Sequence, residues 1–199
     1  KKYDTPIIMG GAHPTLFPDV IHEPEIDIIC KGEGEYAIID LMNALEEKKP
    51  YNKIENLWVK EGENGQLYEN PVRPYADPMD DIPMIDWDCF IDTPVESSSA
   101  VAFPIRGCPY KCTFCDIPIK THRRRDPEKV VDEMEACIKQ GYEELHFYDD
   151  LFNINPKRVI AICDAIDKRG LKVVWDYRGR VNGINEESII RFKKSGGRM

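Results

Sequence analysis

From residue 101 onward the sequence repeats one pattern three times: a short apolar run, a loop, then a helix-length stretch with a single apolar face. Val101, Ala102, Phe103 and Ile105 read as the first strand, although Pro104 cannot donate to a ladder. The helix after it is predicted over residues 127–140. Asp126 is placed to cap it, Pro127 suits its first position and Gly141 suits its stop. Val130, Val131, Met134, Cys137 and Ile138 share one face of that helix. A second strand is predicted over 145–148, with a helix opening at Asn155-Pro156, carrying Val159, Ile160, Ile162, Cys163 and Ile166, and closing at Gly170. A third strand is predicted over 172–175, followed by a helix that Asn185 caps, with Ile189, Ile190 and Phe192 on its face and Gly196 at its end. Successive βα units imply a parallel sheet with helices outside, because each crossover must return over the sheet.

The first 48 residues also read as α/β. Ile7, Ile8 and Met9 form a short strand ending at Gly10-Gly11, and residues 26–30 form a second, followed by Gly32-Glu33-Gly34-Glu35. A helix is expected over 35–48 with Ile38, Ile39, Leu41, Met42 and Leu45 on its buried side. Residues 49–100 differ in character. Leu57, Trp58, Val59 and Lys60 face Gln66, Leu67 and Tyr68 across Glu61-Gly62-Glu63-Asn64-Gly65, a hairpin signature. Pro71, Pro74, Pro78, Pro83 and Pro94 then punctuate an acidic stretch that reads as a linker, with the hairpin packed on one of two flanking domains. The expected boundaries are therefore 1–48, a 49–100 hairpin and linker, and 101–199. The chain opens on Lys1-Lys2-Tyr3 and stops at Gly196-Gly197-Arg198-Met199, so it reads as a fragment of a longer protein.

Composition narrows the class. A 199-residue chain that is 42% hydrophobic can bury a core, yet no stretch reaches the ~18 apolar residues of a membrane span. A net charge of −9 argues against wrapping nucleic acid, which calls for a basic surface. The run from His122 to Arg125 is a local basic patch, able to touch substrate or a partner protein but read by default as solvated. There are seven cysteines, an odd number in a chain too large to need stapling, which fits a reducing, cytoplasmic setting. Cys30, Cys137 and Cys163 fall on apolar strands or faces and read as small buried hydrophobes.

Three other cysteines stand in Gly107-Cys108-Pro109-Tyr110-Lys111-Cys112-Thr113-Phe114-Cys115, spaced C-x3-C-x2-C in the loop after the first strand of the repeat. Parallel sheets place their sites in such loops. Soft thiolates on one short loop favour zinc or an iron–sulfur cluster. Structural zinc wants four closed ligands, usually from two C-x2-C pairs, and only one pair is present; His122 is the nearest candidate for a fourth. Three cysteines on a [4Fe–4S] cluster would leave one iron open to a small molecule.

This motif, with Phe114 just before its last cysteine, resembles the signature of radical S-adenosylmethionine enzymes. The resemblance implies a partial or full (β/α) barrel with Cys108, Cys112 and Cys115 as cluster ligands. It also implies S-adenosylmethionine chelated to the open iron and cleaved to methionine and a 5′-deoxyadenosyl radical, with Phe114 near the adenine. A flavodoxin- or ferredoxin-type reductant and a small-molecule substrate follow from the same likeness. At the end of the second strand the family carries a Gly-Gly-Glu element. Here Asp149-Asp150 stand instead, similar to the variant of the cobalamin-associated branch. Their carboxylates could accept hydrogen bonds from the cofactor's ammonium group, or Asp149 and Asp150 could simply form the turn. Arg178 and Arg180 follow the third strand, and the resemblance favours Arg180 as a cofactor contact over a merely solvated arginine.

The amino-terminal part carries a second likeness. Gly10-Gly11 followed by Gly32-Glu33-Gly34-Glu35 looks like the last third of the Rossmann-like cobalamin-binding domain that precedes the radical domain in that branch. The Gly-Gly turn would let the backbone approach the cofactor's nucleotide tail. The family's cobalt-ligating histidine belongs to an earlier motif, so His13 is not assigned that role. The implied activity is radical cleavage of S-adenosylmethionine with cobalamin-dependent methyl transfer to carbon, cyclisation and mutase chemistry being the variants within the branch. The alternative of a different class is a non-catalytic iron–sulfur carrier or a zinc-stabilised binding module.

Overall fold

The computed structural model describes residues 5–62, 65–86, 89 and 99–198. The turn residues Glu63 and Asn64, Pro94 of the linker and the terminal Lys1-Lys2-Tyr3 lie outside the described residues. The chain forms two compact units, residues 1–75 with 116–118, and residues 76–115 with 119–199.

The first unit is built on a four-stranded sheet of order β1-β2-β3-β4. Strand β1 (Ile8–Met9) runs parallel to β2 (Ile28–Cys30). The hairpin β3 (Leu57–Glu61) and β4 (Gln66–Glu69) is bonded antiparallel to β2 through Ile28↔Val59 and Cys30↔Leu57. The sheet is therefore mixed, and the hairpin is part of it. A short helix α1 (Ala12–Leu16) follows β1, and α2 (Glu35–Glu46) follows β2. Ala37 and Leu41 of α2 are buried with Ile28, Leu57 and Val59, and Leu45 packs beside them. The expected buried face of α2 is only half right. Ile38, Ile39 and Met42 are exposed, Ile39 by 53%. The sheet is narrow, and it meets the stripe spaced by four residues from Ala37 to Leu45, which leaves the neighbouring apolar stripe uncovered.

The second unit holds the three βα units. Strands β5 (Ser99–Ala102), β8 (Glu144–Phe147) and β9 (Val174–Tyr177) form a parallel sheet of order β5-β8-β9, with Ala102↔Phe147↔Tyr177 in register. Pro104 ends β5 early. The chain resumes as β6 (Ile105–Arg106), which pairs antiparallel with β7 (Arg123–Arg124). Helices α3 (Pro127–Lys139), α4 (Pro156–Arg169) and α5 (Glu186–Lys194) cover one sheet face. Each starts at the expected cap. Asp126 accepts from Glu128 N at 2.9 Å, Asn155 from Lys157 N at 3.0 Å, and Asn185 closes a capping box with Ser188. Gly170 closes α4 in the left-handed conformation at φ 64°.

Ala100, Ala102, Leu145, Phe147 and Trp175 point to the helices and bury an aromatic core. Trp175 packs edge-on against Phe192 at 4.7 Å, and Phe152 stacks on Tyr177 at 4.7 Å. The third strand begins two residues later than its apolar run implies: Val173 is buried ahead of it, and the ladder continues through Asp176 and Tyr177. Beyond α5, Gly197 bridges in parallel to Trp175 on the far edge of β9. Among the described residues no helix is long and apolar enough to cross a membrane.

Candidate functional site

The cysteine loop leaves β6 at the carboxyl end of the parallel sheet. Gly107 turns the chain at φ 80°, and a Cβ there would stand 2.3 Å from Thr121 O, so the position admits only glycine without rearrangement. Cys108 N donates to Ile119 O at 3.1 Å, and Cys115 N to Cys112 O at 3.1 Å, which folds residues 108–119 back on themselves. Cys108, Cys112 and Cys115 are free thiols, each partly exposed. Cys30, Cys137 and Cys163 are buried, and burial pushes all three thiols up, Cys137 to about 11. Protonated and enclosed, those three are poor ligands. Among the described residues no three His, Cys, Asp or Glu side chains converge on one ion position. A cubane takes each thiolate on a different iron, so its ligands need not share a point. His122, the fourth zinc ligand in the alternative reading, donates Nε2–H to Leu151 O at 3.2 Å, and burial lowers its pKa.

The two acids after β8 divide. Asp150 is exposed, and its Oδ2 accepts from Gly107 N at 3.1 Å, tying the strand end to the start of the cysteine loop. Asp149 is 3% exposed; its Oδ1 accepts from Ile105 N at 2.8 Å, while Oδ2 is buried without a hydrogen-bond partner. Both line a cavity of about 270 Å³ with Arg106, Gly107, Glu133 and Tyr148. Burial pushes Asp149 up to about 8; the Ile105 amide and Arg158 oppose the rise, while Asp150 and Glu133 add to it. Asp149 is thus a neutral acid at pH 7 that pins β6.

A pH dependence follows. The unfolded chain ionises Asp149 at its ordinary 3.8, and the folded chain holds the proton to about 8. Between those values the folded state binds more protons. The contribution is fully present below the lower value and is lost as pH rises through the upper, on the order of 5 kcal/mol at the limit. Asp149→Asn keeps an acceptor for Ile105 and cannot ionise. Its melting temperature should fall less than that of the unsubstituted protein between pH 6 and pH 9, and parallel curves would refute the assignment.

Arg180 joins the cysteine loop directly. Its Nη1 lies 3.4 Å from Cys112 Sγ, and its guanidinium sits 4.2 Å above the Tyr110 ring. Neither contact was legible in the sequence, nor was the residue that sets it up. Asn153 is fully buried; its Nδ2 donates to Arg180 O and its Oδ1 accepts from Arg180 N, both at 2.8 Å. Gly179 and Gly183 close around it, since a Cβ at either would lie 2.3 Å or less from Asn153. Phe114 is 90% exposed on the loop. The basic run is solvated only in part: Arg124 is exposed as expected and His122 half-buried. Arg123 and Arg125 are buried, because the carbonyls of Ala76, Met79 and Pro83, outside any strand ladder, accept hydrogen bonds from their guanidinium groups.

In the first unit Gly10 and Gly11 line a cavity of about 400 Å³ with Ile8, Cys30, Gly32 and Gly34. Thr15 Oγ1 donates to Gly11 O at 2.7 Å and accepts from Gly32 N at 3.0 Å, which explains why the two glycine motifs meet. Gly11 adopts φ 91° and faces open space where a Cβ would stand.

Residues 103–199 match the Radical SAM superfamily. Over 96% of its length the chain is 33% identical to an uncharacterized methyltransferase of Pyrococcus horikoshii, of which it covers 43%. Over 97% it is 31% identical to the anaerobic magnesium-protoporphyrin IX monomethyl ester cyclase of Rubrivivax gelatinosus, of which it covers 37%. Its fold matches the radical S-adenosylmethionine methyltransferase TsrM of Kitasatospora setae, solved with cobalamin and a [4Fe–4S] cluster bound, with a TM-score of 0.73 at 20% identity, over 98% of this chain and 41% of that one. The chain thus spans less than half the length of these relatives. Residues 103–199, which carry the three-cysteine loop and the second and third strands of the parallel sheet, are thus a radical SAM domain by that match.

Proposed function

We propose that the complete protein is a cobalamin-dependent radical S-adenosylmethionine enzyme that transfers a methyl group to carbon. The observation that carries this reading is the gathering of three partly exposed thiols, the Arg180 guanidinium and the Asp150 carboxylate at one end of one parallel sheet. The donor set fits a [4Fe–4S] cluster on Cys108, Cys112 and Cys115, and the glycine-lined cavity around Gly10 and Gly11 fits part of a cobalamin. When bound, the reduced cluster supplies the electron that splits S-adenosylmethionine into methionine and a 5′-deoxyadenosyl radical.

The chain's own residues supply the seat. Asp150, exposed, is placed to accept from an ammonium group, while Asp149 acts from beneath by holding β6. Arg180 sets a positive charge beside Cys112 and can pair with a carboxylate in bidentate fashion. Phe114 offers an open aromatic face to a purine. The substrate is a small molecule, and a flavodoxin- or ferredoxin-type protein delivers the electron in a reducing cytoplasm.

The likeness to the cyclase of Rubrivivax gelatinosus favours a second reading within the same chemistry. Methyl transfer of this kind consumes two S-adenosylmethionine molecules and releases 5′-deoxyadenosine and S-adenosylhomocysteine; a cyclase has no need of the second product. Turnover of the complete enzyme should yield both nucleosides. Release of 5′-deoxyadenosine without S-adenosylhomocysteine would falsify methyl transfer and leave the radical step intact.

A further inference from the structure

The sheet face opposite the helices carries a column of side chains, of which Tyr148 also lines the cavity beside Asp149 and Asp150. Along β8 and beyond it, His146 and Tyr148 lie on this face; along β9 and beyond it, Asp176 and Arg178 do, because Trp175 and Tyr177 are turned to the core. His146 Nδ1 is 2.9 Å from Asp176 Oδ2, and the His146 ring stacks on Tyr148 at 5.8 Å. The Arg178 guanidinium lies over the same Tyr148 ring, 4.1 Å from its centroid.

Arg178 differs from the other arginines around it. Arg198 bridges Glu144 and Asp176, Arg169 binds Glu128 and Asp132, and Arg191 binds Asp164 and Asp167. Among the described residues the Arg178 guanidinium makes no hydrogen bond and no ion pair. Its place over the ring restrains the guanidinium and leaves its N–H donors open. It stands at the carboxyl end of a parallel strand, where such sheets bind their ligands. A rigid planar cation with free donors matches a carboxylate or a phosphate, which accepts two parallel hydrogen bonds.

We propose that Arg178, held over the Tyr148 ring, is the recognition group for an anionic substituent of the substrate, a carboxylate or a phosphate. This deepens the function proposed above and rests on it for the identity of the ligand as substrate. The chemistry is simple charge-assisted hydrogen bonding with no bond made or broken.

The test is a titration of the complete protein, labelled with 15N-arginine, with sodium acetate and separately with inorganic phosphate, following the side-chain Nε–H resonances. One resonance, assigned to Arg178 by its loss in Arg178→Gln, should move on addition of at least one anion, and the affinity for that anion, read by calorimetry on both proteins, should fall about tenfold in the variant. Response to acetate alone assigns a carboxylate, and response to phosphate alone a phosphate. Tyr148→Leu should weaken the response while keeping the charge. Thermal melts confirm that both variants fold, as substitutions at exposed positions should. No movement with either anion, or equal affinity in Arg178→Gln, would overturn the proposal. Cluster content and 5′-deoxyadenosine release are measured on the same samples. The anion titration needs no cluster, so a protein lacking radical chemistry fails the function above without deciding this inference.

Discussion

In the complete protein, reconstituted without oxygen, Cys112→Ala should abolish the iron–sulfur cluster, while Cys137→Ala should leave it at full content. The two thiols differ in every property that matters to a ligand. Cys112 sits partly exposed on a loop with two other free cysteines, its Sγ 3.4 Å from the Arg180 guanidinium. Cys137 is buried on α3 within the apolar core, its thiol pushed up to about 11 by burial and then by Glu133. Truncating it removes one sulfur from a packed interior, a loss of about 1 kcal/mol that shows as a lower melting temperature. Iron and acid-labile sulfide per chain, measured with the melt, separate the two. Equal cluster loss in both variants would mean that Cys112 acts only through folding.

Asn153→Ala should lower stability by about 2–4 kcal/mol and weaken S-adenosylmethionine binding about tenfold without removing the cluster. The side chain is enclosed completely and holds both the amide and the carbonyl of Arg180. Its loss leaves the Arg180 amide unpaired and the Arg180 carbonyl with only its bond from Gly183 N, and it opens a void under the loop, where Gly179 and Gly183 pack closely. Arg180 then loses its fixed approach to Cys112 and Tyr110. The cysteine loop itself is anchored elsewhere, through Cys108 N to Ile119 O and Gly107 N to Asp150. Calorimetry with S-adenosylmethionine on the reconstituted variant reads the effect. Unchanged binding together with an unchanged melt would remove Asn153 from the site.

What was legible in the sequence is what is decided locally. Asp126, Asn155 and Asn185 announce helix starts because a cap bonds within three residues of itself, and Gly170 announces a stop because only its own φ matters. The cysteine loop was legible because its spacing places three ligands on one short segment. The burial of Arg123 and Arg125 was hidden because it depends on carbonyls more than 40 residues earlier. The Asn153 clamp spans 27 residues and has no local signal beyond an asparagine near a strand end. The exposure of Ile38, Ile39 and Met42 was hidden for the same kind of reason: periodicity marks the apolar stripes of α2, but only the sheet decides which one is covered. Asp149 and Asp150 look alike in sequence and separate only in space, where one is enclosed and the other reaches the surface.

The most direct measurement is electron paramagnetic resonance of the reduced, reconstituted complete protein with and without S-adenosylmethionine. Three thiolates from Cys108, Cys112 and Cys115, the ligands proposed above, would leave one iron of the cluster without a protein ligand, so the cofactor should bind there and shift the reduced-cluster signal. A spectrum unmoved by saturating S-adenosylmethionine, from a cluster shown by Mössbauer spectroscopy to be complete, would contradict the account.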